Sequence, residues 1–189
     1  GPGTGPFGLP FGALYADNLL TGDTMRVVAF SSTSDATSTW VIAGPAVFVV
    51  GDSDATRITK PTLAVLVRGT GAGLVTLKIV RADGRDSAST TFKVADPSDV
   101  TLRIVLGKNL RIRVGESYHS ITAHLLDAQG RNYRGSLQWT STDTAIVALA
   151  EPSYPSPFEK RLLGRAVGVA NVEVAFRGQR ETARIEVQP

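Results

Sequence analysis

His119 and His124 are the only imidazoles in the chain, and cysteine is absent. Nucleophilic catalysis needs a nucleophile, a base and a group that orients the base. Residues five apart on a strand project from opposite faces. A strand through this segment therefore keeps the two rings from meeting on one substrate or one metal. The plain reading is one solvated strand histidine and one near a strand start. The missing cysteines remove disulfides, thiol nucleophiles and thiolate metal sites. Carboxylates are the better metal candidates: Asp52 with Asp54, Asp83 with Asp86, and Asp96 with Asp99. Calcium takes about six to eight oxygens, so two carboxylates need much help from backbone groups. No segment follows the EF-hand pattern. Aspartate bonds its own backbone in turns, and this explains each pair. Asp96 and Asp99 are the pair at which a calcium ion would matter most. No catalytic residue, no cofactor and no metal ligand is expected.

Two glycine-rich stretches resemble phosphate loops at first sight, Gly1 to Gly12 and Gly69-Thr70-Gly71-Ala72-Gly73. Neither is followed by Gly-Lys-Ser or Gly-Lys-Thr. A strand pattern follows the second, so the helix N-terminus that would hold an anion is missing. One segment has the composition of a contact surface: Glu151 to Lys160 carries three prolines and two aromatics. Prolines reduce the entropy lost on docking, and exposed aromatics supply contact area. Tyr154, Pro155, Pro157 and Phe158 are the candidate partner-binding residues. The competing reading is a rigid loop whose aromatics cap a sheet edge.

The elements that must carry these residues are strands. Helical periodicity is almost absent. Short β-branched runs recur at spacings of about 8 to 12 residues, separated by Gly, Asp, Asn and Pro, which indicates a sandwich or barrel. The expected runs are 24–31, 63–68, 74–81, 89–95, 120–127, 136–140, 169–177 and 182–187. The stretch 41–50, broken by Gly44 and Pro45, reads as one or two strands. Asp83-Gly84 is a hairpin signal between two of the runs. An edge strand is expected to begin near Leu9. In Ile121-Thr122-Ala123-His124-Leu125 apolar and polar residues alternate, as they do at Val172, Val174 and Phe176 and at Ile185 and Val187. A period of two puts one face in a core and the other in water.

Apolar residues make up 42% of the 189, the level of an ordinary globular chain rather than a disordered one. No run approaches the roughly 18 apolar residues of a membrane-spanning helix, so no membrane insertion by this segment is expected. Net charge is +3, with one modest cluster at Lys108, Arg111 and Arg113 that contains no aromatic. Nucleic-acid binders pair a basic face with aromatics, so no nucleic-acid partner is expected. Gly1-Pro2-Gly3 lacks an initiator methionine. The start therefore reads as an expression remnant or as the edge of a mature or excised piece, and the chain is expected to be a fragment of a larger multidomain protein.

The strongest pattern is internal. Gly22-Asp23-Thr24 corresponds to Gly115-Glu116-Ser117 at an offset of 93, and Trp40 to Trp139 at 99. Gly69 and Gly73 correspond to Gly164 and Gly168 at 95, Gly84 to Gly178 at 94, and Phe92-Lys93-Val94 to Ile185-Glu186-Val187 at 93. Order is preserved and the offsets drift little, which signals two copies of one fold. Trp40 and Trp139, one per copy, are expected in the interior. There a large ring buries about 150–250 Å² and joins two sheets. Stacking on a carbohydrate is the alternative for either ring. The seam falls at Asp96-Pro97-Ser98-Asp99, where Pro97 blocks ladder pairing.

The second half resembles the group-2 bacterial immunoglobulin-like domains, the BIG2 family of intimin- and invasin-like surface proteins. The motifs are Val114-Gly115-Glu116-Ser117, Gln138-Trp139-Thr140-Ser141-Thr142-Asp143, Ala145-Ile146-Val147, Gly168-Val169-Ala170-Asn171-Val172 and Ala183-Arg184-Ile185-Glu186-Val187. The first half is similar but degenerate: Val41-Ile42-Ala43-Gly44-Pro45 follows its Trp where the Ser-Thr-Asp segment would stand. The resemblance implies an all-β chain of two tandem immunoglobulin-like sandwiches, over 1–97 and 98–189. It further implies a secreted, periplasmic or surface-exposed spacer or adhesion module without catalytic residues. Its partner would be a protein or a glycan at the cell surface. Two other roles fit the same residues: an accessory carbohydrate-binding pair of a larger secreted enzyme, or a module of a phage virion or secretion machine.

Overall fold

A computed structural model describes residues 14–29, 37–61, 63–82, 84, 87–154 and 156–189. The chain divides into two units, Gly1–Pro97 and Ser98–Pro189. In the first, one sheet is built from β1 (Asn18–Leu20), β3 (Ser38–Ala43), β6 (Arg57–Lys60), β8 (Gly73–Arg81) and β9 (Ser87–Ala95), in the order β1-β9-β8-β3-β6. The other holds β2 (Thr24–Val28), β4 (Ala46–Val50), β5 (Ser53–Ala55) and β7 (Ala64–Gly69), in the order β2-β7-β4-β5. The period of two decides which side chains meet. Val75, Leu77 and Ile79 of β8 are buried while Leu74, Thr76 and Lys78 are exposed. They join Trp40 and Phe92 from their own sheet and Met25, Val27, Phe48, Val65 and Val67 from the other in one apolar core.

The second unit follows the short 3-10 helix Pro97–Asp99. One sheet contains β10 (Thr101–Leu106), β12 (Ser120–Leu126), β15 (Val147–Ala150) and β16 (Glu159–Gly164), in the order β10-β12-β16-β15. The other contains β11 (Asn109–Arg113), β14 (Gln138–Ser141), β17 (Gly168–Phe176) and β18 (Gln179–Gln188), in the order β11-β18-β17-β14. The remaining strand, β13 (Tyr133–Arg134), follows β12. Ile121, Val147 and Leu162 from the first sheet pack with Val172, Ala183, Ile185 and Val187 from the second. Each unit is thus an immunoglobulin-like β-sandwich.

The duplication read from spacing is visible as equivalent bonds. The Gly22 N–H donates to the Gly69 carbonyl at 2.9 Å, and the Gly115 N–H to the Gly164 carbonyl at 2.9 Å. Gly69 donates in turn to Asp23 at 3.2 Å, and Gly164 to Glu116 at 3.1 Å. β1 runs parallel to β9 with Leu19 opposite Val94, and β11 runs parallel to β18 with Ile112 opposite Val187. Gly73 and Gly168 open β8 and β17 with φ of 148° and 153°. Few other residues adopt that backbone.

Several expectations need correction. Trp40 is fully buried, whereas Trp139 is only partly buried against its core. The cause is strand position. β3 lies between β8 and β6, so Trp40 has Ile79 on one side and Ile58 on the other. β14 is an edge strand with β17 as its partner, so Trp139 has Val174 alone. His119, by contrast, lies just before β12, near the strand start where the sequence reading put it. The strands β1, β5, β6, β10, β11, β13, β15 and β16 arise outside the expected runs. Their sequences are short or mixed, and pairing with neighbours organises them. The edge strand expected near Leu9 lies outside the described residues.

Candidate functional site

β12 and β16 run antiparallel, with Ser120 opposite Arg161 and Thr122 opposite Glu159. Ile121 and Leu162 turn into the core, so Ser120, Glu159 and Arg161 turn outward. Two segments border this outer face. One is the turn before β12, bringing Ser117 and Tyr118. The other is the loop between β15 and β16, bringing Pro152, Ser153 and Tyr154. Together they enclose a cleft of about 390 Å³, within the roughly 300–1,000 Å³ typical of small-ligand sites.

The rings at the rim are exposed, Tyr118 at 71% and Tyr154 at 87%. Tyr118 is nevertheless anchored. Its hydroxyl donates to Glu116 Oε1 at 2.8 Å, and its ring centroid lies 4.4 Å from that of His119. Glu116 Oε2 accepts the Arg113 N–H at 2.8 Å and sits 3.1 Å from His119 Nε2. The Arg113 amide first, then the Tyr118 hydroxyl, hold the Glu116 carboxyl below the usual carboxylate value. Donating to that carboxylate raises the Tyr118 hydroxyl in return. A Glu151–Lys160 ion pair ties the ends of the second loop. On the floor, Arg161 Nε is buried without a hydrogen-bond partner among the described residues. A buried, unsatisfied donor costs about 1–3 kcal/mol.

Of the four residues proposed from sequence, Tyr154 lines the cleft. Phe158 turns elsewhere: its ring meets His124 edge-on at 5.6 Å, and its carbonyl accepts the Ala123 N–H at 2.9 Å. That places Phe158 in the sheet's own packing. Pro157 is half-buried in the turn before β16, and Pro155 lies outside the described residues. Tyr118, Ser120, Glu159 and Arg161 were not singled out in the sequence. The spacing of Tyr118 and Ser120 before an alternating run hints at a shared face. The partners that complete the site come from β16, and the sequence carries no local mark of that pairing.

The two histidines engage different groups, Glu116 for His119 and Phe158 for His124. Among the carboxylates, Asp54 pairs with Arg68, and Asp96 Oδ1 accepts the Thr21 hydroxyl at 2.9 Å. Asp83 and Asp86 lie outside the described residues. Among the described residues, no group of three or more His, Cys, Asp or Glu could share a metal ion. No helix among them is long and apolar enough to cross a membrane. The loop from Gly69 to Gly73 leads from β7 into β8, a strand, and offers no helix end to an anion. A second hollow, of about 420 Å³, lies by Val167, Val169, Gln188 and Pro189 and has no aromatic wall.

No family model matches the chain, and no curated protein matches it. Solved structures do. Domains 4 and 5 of the S-layer protein SbsC are 14% identical over 84% of this chain and 79% of that one, with a TM-score of 0.41. Domains 5–6 of the same protein are 14% identical over 95% and 98%, with a TM-score of 0.36. A chimeric titin Z1Z2 is 15% identical over 95% and 96%, with a TM-score of 0.35. Likenesses of this size carry no statement about function.

Proposed function

We propose that this chain is a non-catalytic binding and spacer module of a bacterial surface, secreted or periplasmic protein, and that its second unit contacts a protein or glycan through the cleft between Tyr118 and Tyr154. The exposure of those two rings beside a ligand-sized cleft is the observation that carries this reading. Aromatics are enriched at contact surfaces, and a hollow beside them gives a partner a place to seat. The motifs from Val114 to Ser117, Gln138 to Asp143 and Gly168 to Val172 support membership of the group-2 bacterial immunoglobulin-like domains. A location outside the cytoplasm follows from that membership. An accessory carbohydrate-binding pair from a secreted enzyme is the second reading, favoured by the same cleft. A phage or secretion-machine module differs from both by its genomic neighbours.

Fluorescently labelled chain incubated with intact bacterial cells and purified envelope tests the reading. The wild type is expected to be retained, and a Tyr118→Ala, Tyr154→Ala double variant to lose about tenfold in affinity, or about 1.4 kcal/mol. Equal retention of both chains, or retention of neither on any surface, overturns it. The extracytoplasmic part fails if the parent protein resists added protease both in intact cells and after the outer membrane is opened by osmotic shock, and yields only after full lysis.

A further inference from the structure

We infer that the cleft holds a neutral pyranose sugar, with the Tyr118 and Tyr154 rings against its C–H face and Glu159 and Arg161 bonding its hydroxyls. This deepens the binding-module reading and rests on it. A pyranose has an apolar face of C–H groups and a rim of hydroxyls. Aromatic faces carry negative quadrupole charge and attract weakly positive C–H groups. Tyr118 is held in place by Glu116 and His119, so little rotamer freedom is lost when a ring lands on it.

The floor supplies the polar half. Glu159 and Arg161 are two residues apart on one face of β16, about 7 Å along the strand. The carboxylate only accepts and the guanidinium only donates. Hydroxyls do both, so one sugar can satisfy the pair. Ser117, Ser120 and Ser153 add short groups of either sense. Arg161 lines the cleft, with its Nε buried in the floor.

Charge selects a neutral sugar. Glu159 and Arg161 cancel. Lys160 projects from the other face and is paired with Glu151. A charged sugar would gain from one member of the pair and lose to the other while shedding its own hydration. An acidic one would also meet Glu116 behind Tyr118. A peptide added as a new strand is disfavoured, because β16 lies between β12 and β15 and has no free edge.

The test is a titration of the whole chain with methyl glycosides of glucose, galactose, mannose and N-acetylglucosamine, beside glucuronate and glucosamine. It is read by tyrosine-ring NMR shifts and calorimetry. At least one neutral glycoside is expected to shift both rings saturably. Tyr154→Ala is expected to weaken binding about tenfold, and Tyr154→Phe to stay within about threefold. Arg161→Gln, checked for an unchanged unfolding midpoint, is expected to weaken it as well. The inference is overturned if no neutral glycoside shifts the rings, if glucuronate or glucosamine binds more tightly, or if Tyr154→Ala binds like the wild type. Cell retention that survives periodate but is lost on protease treatment of the surface overturns the sugar and leaves the binding module standing. Absence of both retention and sugar binding sinks the two together.

Discussion

Glu116 shows how one side chain serves two ends. Its sequence position marks it as a turn residue, equivalent to Asp23 in the first unit. In the fold it accepts the Arg113 amide and the Tyr118 hydroxyl and contacts His119. Those donors stabilise the ionised carboxylate, so its folded-state pKa falls below its unfolded one. The sign follows: this stability is present above the usual carboxylate value and is lost as pH falls through the lowered folded value. Glu116→Gln is therefore expected to cost most near about pH 7 and progressively less below about pH 4.5. Urea midpoints of the two chains across that range check it. A difference that stays constant down to about pH 2 would show that the carboxylate charge plays no part. Because Tyr118 hangs on the same carboxylate, the variant should also loosen the rim of the cleft.

Strand position decides what a residue type repeated in both units is worth. Trp40 on an interior strand is sealed on both sides, while Trp139 on the edge strand β14 keeps part of its ring in water. Trp40→Ala should cost about 3–5 kcal/mol, the range for an emptied large core site. Trp139→Ala should cost about 1–2 kcal/mol, in the range of ordinary substitutions. Urea unfolding followed by circular dichroism separates them, and equal losses would contradict the difference in burial. The same reasoning divides the proline-rich loop. Phe158 sits next to the start of β16 and is drawn into its ladder and onto His124. Tyr154 lies farther from either strand and stays exposed. Sequence composition offered Tyr154 and Phe158 alike, and it could not distinguish the exposed ring from the packed one.

At the scale of the whole chain, each unit has both of its sheets and its own core. Within the second unit the entering chain is tied to its last strand. The Gln179 side chain donates to the Val100 carbonyl and accepts the Leu102 amide, each at 2.9 Å. Residues 98–189 expressed alone are therefore expected to unfold in one cooperative transition and to retain the Tyr118–Tyr154 cleft. Circular dichroism against urea checks the first point and tyrosine NMR dispersion the second. A broad, non-cooperative melt would mean that the second core depends on the first unit.

The sequence by itself determined the all-β class, the alternation of buried and exposed residues and the duplication. These are local properties: a period of two, and glycines where the backbone must take a positive φ, are written in a few adjacent residues. The tertiary structure alone decided which strands became edges, and hence why Trp139 is less buried than Trp40. It also decided that Ser120 faces Arg161 and Thr122 faces Glu159, so that a cleft exists at all. Register between distant strands depends on which chain segments become neighbours after collapse, and no short window of residues contains that choice.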